Sequence, residues 1–363
     1  MTDNPYFIPR MRVLFSMITF LILTACENTY KNAEGASADE KPATTCSKLE
    51  GLDVLVYTVP AEEDSIQYIK IGTDTTSVKP VLLFLQGSLP VPLIIDFEDF
   101  KHVGIPFQYS ELIDDFHLAV ISMPHTPVTA RRNELDGQYC FVTDTALPHS
   151  YSRDYLKGNY LENYVARARS VIRDIGGQPW ATNSEIHLAG HSQGAKVAAV
   201  TASENRDIAT VSLLGFNAFG RFDERIRRER AALRLNRISG SEYLDNIQAH
   251  YERWEEINRD PDNFENGNLN WTSFSIDYTP YLLRIDRPLF VAYGTEDLSA
   301  ENCDLLPLIF IENQKSNLTL KPYPGLDHNF FELIDGTPAY KTGGHWTNVI
   351  HDLAEWINTP PND

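Results

Sequence analysis

Residues 184–199 read SEIHLAGHSQGAKVAA, and the GHSQG at their centre decides how the rest of the chain is read. A lone G-x-S-x-G carries little weight. Three residues of about 7% average usage recur in that pattern by chance in about one chain in eight of this length. Context changes its weight. EIHLA reads as a short apolar strand and AKVAAVTA as a helix, so Ser192 falls at a strand-to-helix turn. A side chain on such a corner is thrown forward, and the small residues Gly190 and Gly194 let strand and helix approach closely.

A serine hydroxyl is a poor nucleophile until a base takes its proton, so a catalytic reading of Ser192 requires a histidine and a carboxylate that orients it. The corner resembles the nucleophile elbow of the α/β-hydrolase family, whose chain order is Ser, then Asp or Glu, then His. The resemblance extends over residues 50–358. Downstream, PLFVAYGTEDLS resembles the family's acid-bearing strand and loop; it implies Asp297 as the acid, with Glu296 the near alternative. NLTLKPYPG then runs into LDHNFF, which resembles the histidine loop and implies His328 as the base. His345 and His351 belong to the terminal helix and read as surface or packing residues, and His191 lies inside the elbow, too close in sequence to reach its neighbour's hydroxyl.

Acyl transfer also needs donors aimed at the developing oxyanion. One is the backbone N–H of Gln193, the residue after the nucleophile. The other comes from the loop after an early strand, where many family members carry His-Gly. Here VLLFLQGSLP offers Gln86, Gly87 and Ser88, so the Ser88 N–H is the candidate, with Gly87 shaping the loop.

The rest of the chain is consistent with an α/β fold: a mostly parallel central β-sheet flanked by helices. Strands are expected at 54–59, 66–71, 81–86, 118–122, 185–189, 211–215, 289–293 and 318–323, and helices at 162–175, 194–202 and 346–357. Between 215 and 289 no strand signal occurs, a gap beyond ordinary connections, and apolar residues such as Phe222, Ile226 and Leu233 recur at helical spacing. The core is therefore expected at 50–216 and 285–358, with a helical lid inserted at 217–284. The lid's first helix, RFDERIRRERAALRLNR, concentrates arginine. Two readings stand: a solvated face with i,i+4 pairs such as Asp223 with Arg227 and Glu224 with Arg228, or a positive rim that attracts an anionic substrate.

The N-terminus has the layout of a secretory signal: Arg10 and Arg12 precede the apolar run VLFSMITFLILTA, which ends at Cys26. The run is short for a bilayer span. Leu23, Thr24, Ala25 and Cys26 resemble the lipobox of bacterial lipoproteins, which implies a signal peptide over 1–25, lipidation of Cys26 and a membrane anchor in the cell envelope. Residues 26–49 then read as a disordered tether. An exported compartment permits a disulfide among Cys46, Cys140 and Cys303, and a Cys46–Cys140 bond would pin the tether to the domain. No zinc spacing is present, and no metal or cofactor is implied. A net charge of −19 argues against nucleic acid, whose phosphates require surplus Lys and Arg.

Three functions are compatible with these features. The first is an exported serine hydrolase that cleaves an ester or thioester of a small acyl substrate. The second is an aminopeptidase of the proline-iminopeptidase type, which also carries a helical cap and needs cap carboxylates such as Glu255 or Glu256 to receive an amine. The third is a non-catalytic binding lipoprotein on the same fold.

Overall fold

The computed structural model describes residues 43–359, except 62, 63, 111, 148, 335 and 341–343. The expected signal peptide and Cys26 lie outside the described residues. Strands follow in the order β1 Thr45–Lys48, β2 Val54–Val59, β3 Ile66–Ile71, β4 Lys79–Leu85, β5 Ile94–Asp96, β6 Lys101–Val103, β7 His117–Ile121, β8 Thr129–Arg131, β9 Ala181–His191, β10 Ile208–Leu214, β11 Leu289–Gly294, β12 Leu318–Tyr323, β13 Leu333–Ile334 and β14 Thr337–Pro338. The helices are α1 Leu112–Asp115, α2 Arg153–Gly158, α3 Leu161–Gly176, α4 Gln193–Glu204, α5 Arg221–Arg234, α6 Gly240–Arg259, α7 Asn268–Phe274, α8 Thr279–Arg284, α9 Ala300–Glu312 and α10 Trp346–Asn358.

Nine strands form one sheet in the order β1-β2-β3-β7-β4-β9-β10-β11-β12. From β7 to β12 every neighbouring pair is parallel, whereas β1, β2 and β3 pair antiparallel. Period-two alternation divides the side chains between the faces: Val81, Leu83 and Leu85 of β4 join one core, Leu82 and Phe84 the other. On the first face lie α3, α4 and α9, and on the second α1 and α10. Helix α10 buries Trp346, Val349, Ile350, Leu353, Trp356 and Ile357. That is the i, i+3, i+4, i+7 stripe expected of a helix laid on a sheet, each large side chain gaining about 1.5–3 kcal/mol on burial.

The chain between β10 and β11 runs through α5, α6, α7 and α8 without a strand. Helix α5 buries no residue, and of α6 only Ile257 is buried. Ser239 and Glu242 form a capping box that starts α6 without help from the core. Helix α8 is tied in more firmly, with Leu282 in the core and Tyr278 N–H donating to Ala218 O.

Two expectations are corrected here. The predicted tether, 26–49, is not wholly unstructured, because Thr45–Lys48 forms the edge strand β1, registered against β2 from Thr45↔Thr58 to Lys48↔Leu55. All four β1 side chains are exposed, so the strand has no apolar alternation to betray it. The predicted Cys46–Cys140 bond does not form either; Cys46, Cys140 and Cys303 are all free thiols. Cys46 stands exposed on β1 opposite Tyr57, and Cys140 is buried in a turn where its N–H donates to Asp136 Oδ1. Cys303 is buried in α9, its thiol 3.2 Å from Phe216 O. Native alkylation with peptide mapping should therefore modify Cys46 first, with Cys140 and Cys303 reacting only in denaturant; a mapped Cys46–Cys140 disulfide would refute this arrangement.

Candidate active site

Ser192 sits between β9 and α4 with φ 56° and ψ −116°, a left-handed value that a non-glycine residue adopts only when its surroundings force it. The forcing contacts are close. A Cβ at Gly190 would lie 2.2 Å from Gly194 O, and one at Gly194 would lie 2.2 Å from Leu85 O on β4. Ser192 N–H donates to Leu214 O at 2.8 Å, which ties the corner to β10.

The parallel strands deliver three loops to the same sheet edge. His328 follows β12 and accepts the Ser192 hydroxyl at Nε2, 2.9 Å away. His328 Nδ1 lies 2.7 Å from Asp297 Oδ2, in the loop after β11. Because that oxygen is an acceptor, the proton belongs on Nδ1 and the Nε2 lone pair faces Ser192. Asp297 is buried, and its other oxygen accepts the Ser299 N–H at 3.0 Å.

Electrostatics reinforce this tautomer. Burial works to raise the Asp297 pKa, but the charge of His328 and the hydrogen bonds from His328 and Ser299 outweigh it and hold the carboxyl below its usual range. Burial likewise works to lower His328, and the Asp297 charge and hydrogen bond outweigh it, so the imidazole is raised above its ordinary value. The ring remains partly open to the cleft. His191 behaves oppositely. Burial, then the His328 charge, pushes it down to about 3, so it stays neutral, packed against Trp346 and Phe330. Its Nε2–H reaches His328 O at 3.2 Å and holds the histidine loop by its backbone.

Gly294, which ends β11, was not singled out from the sequence. A Cβ there would lie 2.1 Å from Leu326 O, so the acid-bearing and histidine-bearing loops touch through their backbones. Asp327 shapes the second loop by accepting the N–H groups of Asn329 and Phe331 at Oδ1. Both could have been suspected from YGTED and LDHN, where small or turn-forming residues flank the titratable ones.

Glu296 is exposed and does not join the relay; its N–H donates to Leu326 O. His345 pairs with Glu332 instead. Gly87 approaches the corner, an added Cβ lying 3.7 Å from Ser192 Cβ. Among the described residues, neither the Ser88 nor the Gln193 N–H has a hydrogen-bond partner. A cleft of about 780 Å³ is lined by Gly87, Ser88, His191, Ser192 and His328, and a second cavity of about 540 Å³ by Ser88, Ser192 and Gln193. Of the two predicted α5 pairs, Asp223–Arg227 forms at 2.9 Å but Glu224–Arg228 does not, because Glu224 turns to Lys196 at 3.6 Å. Glu255 and Glu256 pair with Arg259 and Arg253 and line neither cavity.

No family profile and no curated protein sequence matches the chain. Solved structures do. Acylaminoacyl peptidase of Pyrococcus horikoshii matches with a TM-score of 0.52 at 12% identity, over 86% of this chain and 42% of that one. Acetyl xylan esterase from Paenibacillus sp. R4 gives 0.48 at 16%, over 88% and 90%, and Porphyromonas gingivalis dipeptidyl peptidase 4 gives 0.47 at 13%, over 87% and 35%. The fold is the α/β-hydrolase fold. The chain spans less than half the length of either peptidase, and at such identities the likeness speaks to the fold alone.

Two outcomes test the geometry. By NMR, the His328 ring should titrate above the ordinary histidine pKa of about 6.5 and move down in Asp297→Asn; equal values in both proteins would refute the coupling. The linkage has opposite signs for the two groups. The raised His328 adds stability below its unfolded pKa that is lost as pH rises through the folded one, and the lowered Asp297 adds stability above its unfolded pKa that is lost as pH falls through the folded one. Gly294→Ala should cost about 2–4 kcal/mol in urea unfolding, because the loop beneath has to move; a neutral change would mean the two loops are not in contact.

Proposed function

We propose that the protein is a serine hydrolase that cleaves a carboxylic ester or thioester through an acyl-enzyme on Ser192. One observation carries the reading: the relay Asp297–His328–Ser192, whose hydrogen bonds of 2.7 and 2.9 Å run without a break from a buried carboxylate to a forward-thrown hydroxyl. In this reading Ser192 Oγ attacks the acyl carbon as its proton passes to His328 Nε2, and Asp297 stabilises the resulting imidazolium. The carbonyl oxygen, now an oxyanion, is received by the N–H groups of Gln193 and Ser88. Collapse expels the alcohol or thiol, which takes the proton from Nε2. Water then enters, loses its proton to the same nitrogen, and releases the acid and Ser192.

The aminopeptidase alternative is weaker on a physical ground. The cavity beneath the lid carries Lys196, Arg221, Arg225 and Arg228 against Glu224, a sign that repels a substrate ammonium. We propose also that export and lipidation at Cys26 hold this domain to the bacterial cell envelope; the support is the sequence of the leader, with no nucleic-acid partner and no cofactor required.

A fluorophosphonate probe should label the protein and fail to label Ser192→Ala. Turnover of acyl esters should drop about 10⁴-fold or more in Ser192→Ala, and about 10³–10⁴-fold in Asp297→Asn. Labelling that persists in Ser192→Ala, or is absent in the wild type, would favour a binding protein instead.

A further inference from the structure

Two cavities meet at Ser192, and they differ in chemistry. Ser88, Leu89 and Ser192 line both. The larger, about 780 Å³, is walled by Phe84, Val91, Ile95, Phe97, Phe100 and Trp346. The other, about 540 Å³, lies beneath α5 and presents Lys196, Arg221, Arg225 and Arg228, with Glu224 its one acidic residue among the described residues. Such a surplus of cations is unexpected in a chain of net charge −19.

Arginines of α5 that serve the fold can be told apart from those that do not. Arg227 is held by Asp223 and Glu301 and donates to Asn302 at 2.5 Å, tying α5 to α9. It faces away from the basic cavity's lining. Arg225 and Arg228 have no carboxylate partner among the described residues, although Glu224 lies within helical reach of Arg228. Lys196 is buried one turn after Ser192, its one ion pair among the described residues being Glu224 at 3.6 Å, with the Tyr278 ring 5.7 Å away; burial, partly offset by Glu224 and Asp223, pushes its pKa down to about 8. Arg221 is fixed by Gln193 Oε1 at 2.5 Å and by Asn270. A buried ammonium so weakly compensated is one that an incoming anion would stabilise.

The relay decides which half of the substrate carries that anion. A leaving group takes its proton from His328 Nε2, and His328 and Asn329 line the apolar cleft but not the basic cavity. The alcohol therefore leaves through the apolar cleft and the acyl chain lies in the basic cavity. We propose that the substrate is a half-ester of a dicarboxylic acid with an apolar alcohol, its free carboxylate held by Lys196, Arg221, Arg225 and Arg228. The proposal rests on the serine-hydrolase reading of Ser192 and adds the substrate class.

Three naphthol esters test it: 1-naphthyl hemiadipate, with the anion on the acyl half; 1-naphthyl hexanoate, with none; and the hexanoate of a naphthol sulfonate, with the anion on the alcohol half. With background hydrolysis subtracted, kcat/KM for the hemiadipate should exceed that for the hexanoate by about tenfold or more at low salt and the advantage should shrink as salt is added. It should also shrink in Arg225→Gln/Arg228→Gln, read as the ratio of the two esters within each enzyme. A hemiadipate no faster than the hexanoate, a preference for the sulfonate ester, or an unchanged ratio in the double variant overturns the proposal. Absence of turnover on all three, with no fluorophosphonate labelling, would overturn the hydrolase reading beneath it.

Discussion

The structure turns on a backbone that would not hold its shape alone. Ser192 keeps φ at 56°, a conformation that costs about 1–3 kcal/mol. It persists because α4 presses onto β4 at a distance that Gly194 alone permits, and because β9 and β10 are registered through Leu213↔Gly190 and Leu214↔His191. Ten of the twelve residues of α4, Gln193 to Ala202, are buried, so the helix cannot retreat to relieve the corner. The strain is offset by packing, and the result is a hydroxyl whose position is set by the most rigid part of the sheet.

Parallel topology then does for the other two groups what packing does for the first. In an open sheet of this kind the loops that follow the strands gather at one edge, so residues 136 and 31 positions apart come within hydrogen-bond distance of His328. The loops are not free to drift along that edge. Gly294 lets the backbone after β11 touch Leu326 O, Asp327 folds the histidine turn onto itself, and the neutral His191 grips His328 O. Each of these contacts involves backbone, which is why the alignment is insensitive to rotamers of exposed side chains.

How legible this was depends on what each element buries. Strands β2, β3 and β12 are bounded in the structure as the sequence predicts them: β2 and β3 are largely buried apolar runs, whereas β12 buries only Tyr323 and is marked by Leu318 and Leu320, two positions apart and packed against the core. Strand β1 left none, being exposed on all four residues, and the strands β5, β6 and β8 are three residues each, shorter than any alternation can mark. Ser192, His328 and Asp297 stand in motifs with local sequence grammar, and the structure brings them together. The walls of the two cavities come from segments far apart in the chain, so no window of sequence could distinguish them. Helical spacing was right about Asp223 with Arg227 and misled about Glu224 with Arg228, since Lys196, in another helix, competes for Glu224.

That competition explains the charge pattern of α5. Helix α5 has no fully buried side chain to seat it; it is held by Phe222 packing against Trp254 and Trp271 and by polar ties, chiefly at Asp223, which accepts from Asn217, Asn302 and Arg227. Arg227 is consumed in that anchoring, and Arg221 adds bonds to Gln193 and Asn270. Glu224 is drawn inward by the buried ammonium of Lys196, and the arginine one turn along is left without its intrahelical partner. Like-charged side chains crowded on one helix are a net electrostatic cost; half-buried Arg225 is partly relieved by stacking over Trp271, 5.4 Å from the ring centroid, and half-buried Arg221 by Phe274 at 5.1 Å. The aromatic contacts direct these cations toward the cavity that opens on Ser192. The arginines of α5 thus meet different demands: Arg227 fastens the helix, Arg221 ties it to Gln193 and Asn270 and, with Arg225 and Arg228, sets the sign of the cavity that opens on Ser192, while Arg230 and Arg234 line a separate cavity beside Asp297.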